Sequence, residues 1–334
     1  MGTEPASAGR VDPVALARLL RPRSVAVVGA SDVATSVGGA PLALLERFGY
    51  PGEVYPVSPS RDAIGERACR HSIDELPVGV DAAILAIPRA AVPGALEALV
   101  RRGVGGAVVF SSGYAETGPE GATDQRALAD FAREHGLALA GPNCLGLVNF
   151  GDRVPLTFGD AAPNRRVRPR GLAVVAQSGA MTLALTYAAM AKDVTVTYAV
   201  STGNEAVIGV EDYLDALVDD DATAAVAMLV EQIRRPAAFL AAARRARERG
   251  VSVLLVALGR GERARRVAHP HRRPGGRLRG DPRGAGGRGR RRPGVDRRAD
   301  RPGRRRDQVP PAGGSRSRRA DRLGRDEDVL ARLQ

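Results

Sequence analysis

Cysteine is scarce in this sequence, and long apolar segments are absent. The two cysteines, Cys69 and Cys144, are too few for a disulfide framework, which fits the reducing environment of the cytoplasm. No apolar run approaches the roughly 20 residues that span a bilayer. The first residues show neither the basic and apolar regions of a signal peptide nor the serine or threonine that myristoylation requires at position 6. We therefore expect a cytoplasmic protein with no membrane partner.

Positive charge is concentrated at the end of the chain. The formal net charge of the 334 residues is +13. Residues 261–334 contain 24 of the 50 basic and 9 of the 37 acidic side chains, a net charge of +15, so the preceding 260 residues are near neutral at −2. The basic segment has no aromatic residue on which bases could stack. We expect salt-dependent, non-specific attraction to nucleic acids and no specific nucleic-acid partner.

Residues 261–334 also have the composition of a disordered segment. Arg, Gly and Pro dominate them, and Phe, Tyr, Ile, Met and Thr are missing. Such a composition buries too little apolar surface to offset the entropy of the chain. We predict that residues 261–334 form a disordered basic tail.

Residues 11–149 have the pattern of a doubly wound α/β domain. Short apolar runs alternate with segments of helical period, as in a parallel sheet covered by helices. Strands are predicted at residues 24–29, 53–57, 82–87, 106–110 and 137–140. Helices are predicted at residues 39–48, 91–102 and 122–135.

Residues 150–170 are irregular and contain proline and arginine, which predicts a linker. A second alternation in residues 171–260 predicts a second doubly wound domain. One more strand and helix would complete it, so we expect a truncated domain with an unpaired sheet edge. Its predicted strands are residues 172–176, 194–200, 224–230 and 252–257, and its predicted helices are residues 180–191, 208–218 and 237–249.

The first predicted strand ends in a tight glycine turn at Gly29, and a glycine pair opens the next helix. Free backbone N–H groups and a helix N-terminus at this place suit a phosphate. The glycine spacing is not that of the NAD fingerprint, and Val57, Ser58 and Pro59 occupy the strand end where an NAD domain has an acidic residue. We predict a nucleotide-type ligand other than NAD. The alternative is a turn that only lets helix pack on strand.

Four motifs, in this order, resemble one family. They are Ser-Val-Ala-Val-Val-Gly-Ala-Ser (24–31), Tyr-Pro-Val-Ser-Pro (55–59), Ser-Ser-Gly-Tyr-Ala-Glu (111–116) and Gly-Pro-Asn-Cys-Leu-Gly (141–146). Each could singly be a structural turn. Together they resemble the CoA-binding domain of NDP-forming acyl-CoA synthetases (acetate–CoA ligases) and succinyl-CoA synthetase α subunits. The resemblance implies a Rossmann-like CoA-binding domain followed by a truncated flavodoxin-like, succinyl-CoA-synthetase-like domain.

The resemblance also implies which residues bind CoA. Arg61 is our own candidate cation for the 3′-phosphate, from its place just past the second strand, and a solvated surface arginine is the alternative. Cys144 has no histidine near it in the sequence, so we predict a buried turn cysteine and not a nucleophile. The implied contacts are Gly29, Ala30 and Ser31 for the phosphates, Val57, Ser58 and Pro59 for the adenosine end, and Pro88, Ser112, Gly113, Asn143 and Cys144 for the pantetheine.

The second domain repeats the strand, polar glycine loop and helix. By resemblance, its loops hold a phosphoryl group carried on a histidine, at a helix N-terminus that suits a dianion. Glu231 matches the carboxylate that orients this histidine, and an exposed acid at a strand end is the alternative. The implied phosphate-binding residues are Gln177, Ser178, Gly179, Gly203 and Asn204.

The catalytic histidine segment departs from the pattern of the family. His271 lies about a dozen residues after the pair Gly259 and Arg260, as the resemblance requires, but Arg-Arg-Pro-Gly-Gly follows it in place of Thr-Gly and a helix of small residues. Read one base out of frame, codons compatible with residues 269–276 also encode Thr-His-Thr-Gly-Ala-Leu-Ala-Gly, the family motif. An Arg/Gly/Pro excess is typical of a GC-rich gene read out of frame, and Lys192 is the only lysine. Our hypothesis is a frameshift between about residues 259 and 269.

By resemblance, the activity is that of an acid–CoA ligase. Acid, CoA and ATP give acyl-CoA, ADP and phosphate through an acyl phosphate and a phosphohistidine. A small carboxylic acid is the implied substrate, and ATP or ADP with Mg²⁺ enters only through a partner ATP-grasp domain or β subunit. We expect no metal site in this chain, and we expect it to be inactive alone. The alternative is a non-catalytic CoA-sensing module of a protein acetyltransferase system.

Overall fold

The computed structural model describes residues 11–164 and 168–258. The predicted disordered tail (261–334), the pair Gly259 and Arg260, and His271 lie outside the described residues. Within the described part, no helix is both long enough and apolar enough to cross a membrane.

The first domain is built on a five-stranded parallel sheet in the order β2-β1-β5-β6-β7. Val25 of β1 pairs with Val54 of β2 on one side and Ala82 of β5 on the other, so the strand order reverses at β1. Sheets of this kind bind ligands at the carboxyl ends of the strands beside such a reversal. The strands are β1 (Ser24–Val28), β2 (Glu53–Val57), β5 (Ala82–Leu85), β6 (Gly106–Val109) and β7 (Ala138–Ala140), and a small hairpin of β3 (Ala63–Ile64) and β4 (Arg67–Ala68) follows β2.

The helices of this domain cover its sheet, and the sequence predicted three of the four. They are α1 (Pro13–Leu20), α2 (Ala40–Arg47), α3 (Val92–Arg101) and α4 (Pro119–Glu134). The first helix was missed. Its start is encoded by Asp12, whose carboxylate accepts the Val14 N–H at 2.9 Å, and by a proline in the first turn. Leu16 and Leu19 bury its apolar side.

The second domain has a six-stranded sheet in the order β13-β12-β10-β11-β8-β9. Its helices are α5 (Gly179–Met190), α6 (Val210–Val218) and α7 (Pro236–Glu248). Every strand and helix predicted from the sequence is present, with strand ends within two residues and helix ends within three. The strands are β8 (Gly146–Asn149), β9 (Val154–Thr157), β10 (Gly171–Ala176), β11 (Val196–Ser201), β12 (Thr223–Val230) and β13 (Ser252–Ala257).

The prediction of a linker at residues 150–170 was wrong in part. β8 and β9 form an antiparallel hairpin, and β8 pairs antiparallel with β11, so the second sheet begins before residue 150. All four residues of β9 are buried, although Pro155 weakened the strand signal in the sequence. Proline is tolerated there because, in the part of the chain that the structure describes, β9 is an edge strand and pairs only with β8, so its missing N–H leaves no ladder bond unmade.

The opposite edge of the second sheet is formed by β13. Among the described residues, only β12 pairs with it. Its side chains alternate: Val253 and Leu255 pack on the core, whereas Leu254 and Val256 are 56% and 55% exposed. An uncharged apolar edge strand is a template for pairing with other chains.

We expect the double substitution Leu254→Lys and Val256→Lys to reduce self-association. Charge on the exposed face of an edge strand opposes strand addition, while the buried side chains of β13 stay unchanged. Sedimentation velocity over a concentration series measures the effect. Val14→Lys, at a residue 67% exposed on α1, is the control for added charge. Association that is equal in both variants would contradict a role of the β13 edge.

Candidate functional site

The glycine turn after β1 is too closely packed for a side chain. Gly29 has φ +82°, and a Cβ there would lie 2.3 Å from the carbonyl oxygen of Ala86 at the end of β5. A Cβ on Gly38 would lie 1.9 Å from the carbonyl oxygen of Gly29. The backbone is therefore folded onto itself at the point where the strand order reverses, and only glycine fits both positions.

The donors of this turn differ from those expected. The N–H groups of Gly29 and Ala30 both donate to the carbonyl oxygen of Val57, at 3.0 and 3.1 Å. They hold the turn against β2 and are not free for a phosphate, which corrects that part of the prediction. The hydroxyl oxygen of Ser31, the third predicted contact, accepts the N–H of Val33 at 3.1 Å and so orders the next residues of the loop.

The end of β2 lies directly beside this turn. Val57 and Ser58 are buried, and Ser58 donates its N–H to the carbonyl oxygen of Arg70 at 2.9 Å. Arg61 reaches back to the glycine loop and pairs with Asp32 at 2.7 Å, with both side chains about half exposed. The structure thus places Arg61 at the mouth of the predicted nucleotide site, in an ion pair with Asp32.

The loops predicted to line the pantetheine are joined to one another. The Ser111 hydroxyl donates to the carbonyl oxygen of Ile87 at 2.9 Å, next to Pro88, and Asn143 donates its N–H to the carbonyl oxygen of Ser111 at 2.9 Å. The segment carrying Ser112 and Gly113 therefore lies between the ends of β5 and β7. The predicted pantetheine residues lie together at the carboxyl ends of the strands of the first sheet.

Two charged residues at these strand ends were not singled out from the sequence. Arg89 pairs with Asp124 and lies over the ring of Tyr114, 5.3 Å from its centroid. Glu116 accepts the N–H of Gly113 at 2.5 Å. No local pattern in the sequence marks either residue, because their partners are identified only by the fold.

Cys144 is a structural cysteine, as predicted. It is buried, its thiol faces the carbonyl oxygen of Val109 at 3.5 Å, and burial raises its pKa to about 12. A raised pKa disfavours the thiolate, which agrees with the prediction that Cys144 is not a nucleophile.

The loop between β10 and α5 has the expected cap. Ser178 accepts the N–H of Met181 at 3.4 Å, and α5 begins at Gly179. Gln177 spans to the end of β12, where its amide oxygen accepts the N–H groups of Glu231 and Gln232 at 2.6 and 3.0 Å. The side chain of Glu231 is exposed beside this loop.

Gly203 and Asn204 contact the first domain. A Cβ on Gly203 would lie 2.5 Å from the carbonyl oxygens of both Pro142 and Asn143. The side-chain oxygen of Asn204 accepts the side-chain amide of Asn143 at 3.2 Å, and its side-chain nitrogen donates to Gln125 Oε1 at 2.9 Å. The same loop also lies beside the α5 loop, because Gln177 hydrogen-bonds Glu205 and Thr202 donates its N–H to the carbonyl oxygen of Ala176 at 2.9 Å. The phosphate-binding role of Gly203 and Asn204 stays a prediction.

Glu205 is a buried carboxylate in the same loop. Its side chain is fully buried, and burial raises its pKa to about 7 despite hydrogen bonds from Gln177 and Thr202 and the nearby charge of Arg234. The Thr202 hydroxyl donates to it at 2.8 Å, and the Arg234 Nε lies 3.3 Å away. The sequence read Glu205 as one residue of a polar loop, because nothing local distinguishes a buried loop acid from an exposed one.

No cluster of three or more His, Cys, Asp and Glu side chains with metal-site geometry occurs among the residues that the structure describes.

Both domains match known family models. Residues 23–149 match the CoA binding domain, and residues 169–276 match the succinyl-CoA ligase like flavodoxin domain. The second match extends past His271.

Two curated relatives and one solved structure illustrate the similarity. The chain is 44% identical over 257 residues to a trans-feruloyl-CoA synthase from an unknown prokaryotic organism, covering 76% of this chain and 36% of that protein. It is 32% identical over 262 residues to the α subunit of acetate–CoA ligase (ADP-forming) I of Pyrococcus furiosus, covering 77% and 56%. The structure is dinucleotide-forming acetyl-coenzyme A synthetase 1 of Ca. Korarchaeum cryptofilum with phosphate and ADP, at TM-score 0.70 and 31% identity, covering 77% of this chain and 54% of that one. The chain thus spans about a third to a half of these relatives.

Proposed function

We propose that this chain, whose two domains are the CoA-binding and succinyl-CoA-ligase-like domains of ADP-forming acyl-CoA synthetases, serves as the α-like, CoA-binding part of such an enzyme. The glycine turn at the strand-order reversal carries this proposal. Because Gly29 has no side chain, the turn after β1 packs directly against Ala86 after β5 and Val57 at the end of β2. The backbone of the loop that follows therefore lies at the carboxyl ends of these strands.

The residues of the first domain would hold CoA in an extended path. The loop after Ala30 and the nearby Arg61 lie at the phosphate end. Ser112, Gly113 and Asn143 lie along the same sheet edge and lead toward the second domain. When bound, CoA supplies the thiol that attacks an acyl phosphate and releases inorganic phosphate.

The second domain would hold the phosphoryl group. The capped N-terminus of α5 offers backbone N–H groups and the positive end of a helix dipole to a dianion. Glu231, exposed beside Gln177, is the carboxylate that would orient His271. A nucleotide and Mg²⁺ would enter through an ATP-grasp partner.

We further propose that the chain as printed does not turn over alone, because the segment after His271 departs from the family motif. Resequencing the locus tests the frameshift hypothesis. A reading frame that encodes Thr-His-Thr-Gly after a single-base correction would support it, and a confirmed sequence without that frame would refute it.

The acyl substrate is proposed only as a carboxylic acid. The relatives are named for a feruloyl-CoA product and for acetate.

Calorimetric titration of the full chain with CoA and with NAD tests the proposed function. We expect CoA to bind and NAD not to bind. Ser31→Ala should weaken CoA binding about fivefold, since one loop hydrogen bond of about 1 kcal/mol is lost. Ser252→Ala, at an exposed serine of β13, is the matched control. All variants carry the same arginine-rich segment, so its attraction for the phosphates of CoA cancels. NAD binding, or binding of neither ligand, would refute the assignment.

A further inference from the structure

A loop of the second domain lies against the predicted pantetheine loops of the first. Residues 202–206 follow β11, and three of their N–H groups are bonded across loops. The N–H of Thr202 donates to the carbonyl oxygen of Ala176 at 2.9 Å. The N–H groups of Asn204 and Ala206 donate to the carbonyl oxygens of Pro142 and Gly141, each at 2.9 Å. The segment Gly141–Pro142 is therefore paired with the second domain by backbone bonds alone.

Side chains extend this contact to the other pantetheine loop. One carboxylate oxygen of Glu116 accepts the N–H groups of Gly113 at 2.5 Å and Tyr114 at 3.2 Å. Its other oxygen accepts the amide of Asn204. Asn204 in turn accepts the amide of Asn143 at 3.2 Å. Glu116 and Asn204 thus connect two loops of the first domain through one residue of the second.

The charge state of Glu116 suits this role. Burial alone would raise its pKa, but the bonds from Asn204 and from the backbone N–H of Gly113 outweigh burial and lower the pKa. The carboxylate is therefore ionised at neutral pH and accepts strong, charge-assisted bonds.

We propose that Glu116 and Asn204 form an interdomain clasp by which the second domain fixes the loop 111–116 in the conformation that receives pantetheine. The proposal rests on the CoA-binding function argued above. Gly113 has φ +100° and no side chain to restrict it, so this point of the loop depends on the surrounding hydrogen bonds for its conformation. The clasp makes Glu116 and Asn204 positioning residues, and it lets a shift of residues 202–206 alter the affinity for CoA.

Exchanging the two partners tests the clasp. In Asn204→Asp two carboxylates face each other, and we expect CoA to bind about tenfold more weakly. In Glu116→Gln two amide donors face each other, with a smaller loss. The double variant restores one donor and one acceptor, so CoA affinity should return to within about twofold of wild type. Glu134→Gln, at an exposed residue closing α4, is the control.

Hydrogen exchange of the ligand-free full chain gives a second readout. The N–H groups of Gly113 and Tyr114 should exchange about tenfold faster in Asn204→Asp and recover in the double variant. Exchange and affinity that do not recover, or that never change, would overturn the clasp. If hydrogen exchange speeds up in Asn204→Asp and recovers in the double variant but wild type does not bind CoA, the clasp stands and the proposed function fails.

Discussion

Gly29→Val is expected to reduce CoA affinity by at least a hundredfold in the full chain. The new Cβ would lie 2.3 Å from the carbonyl oxygen of Ala86 and 2.9 Å from a side-chain carbon of Ile87, and φ +82° is strained for a β-branched residue. The carbonyl cannot retreat without moving the end of β5. The turn must open instead, and the loop that follows leaves the strand ends. Calorimetry with CoA measures the loss.

Gly136→Val separates the clash from backbone strain. Gly136 has φ +64°, but a Cβ there meets no atom within 4 Å. This control should unfold somewhat more easily and bind CoA as wild type does. Gly29→Val with near-normal CoA affinity, in a folded sample by circular dichroism, would contradict the placement of the ligand at this turn.

The sequence predicted all five strands of the first sheet and four of the six strands of the second. β1, β5 and β6 are continuous apolar runs, as expected where helices cover both faces of a parallel sheet. Turn residues bound each run, so strand ends could be placed within two residues. The glycine turn was equally legible, since strand, glycine and helix follow each other locally.

The sequence could not predict that the hairpin of β8 and β9 belongs to the second sheet. Gly146 directly continues a motif of the first domain, and Pro155 interrupts the strand pattern. Which sheet a strand joins is decided by long-range pairing, here between β8 and β11, about 50 residues apart. No local pattern carries that information.

The contacts between the loops were hidden for the same reason. Glu116 and Asn204 are 88 positions apart, and each looks like an ordinary loop residue in its own motif. The resemblance to the family assigned Asn204 to a phosphate. Its partners became visible only once both domains were folded.

Wild type is expected to lose unfolding free energy as the pH rises through 7, and Glu205→Gln is expected to abolish this loss. The pKa of Glu205 is raised to about 7 in the folded chain, against 4.5 for the unperturbed group. Its contribution to stability is therefore fully present below about pH 4.5 and is lost as the pH rises through 7, because the native state binds the proton more tightly than the unfolded state. Above pH 7 a charged carboxylate stays buried with Thr202 and Arg234 as partners.

Urea unfolding of wild type and Glu205→Gln at pH 5 and pH 8 measures this loss. Circular dichroism is the probe, because the chain has no tryptophan. Relative to the variant, wild type should lose roughly 2–3 kcal/mol of unfolding free energy between the two pH values. Glu134→Gln, at an exposed position, should show no such change. A difference that is constant with pH, or that favours wild type at pH 8, would mean that Glu205 is ionised without cost. Since Glu205 adjoins Asn204, the predicted loss also implies that residues 202–206 are held less firmly at alkaline pH, and CoA affinity should fall with them.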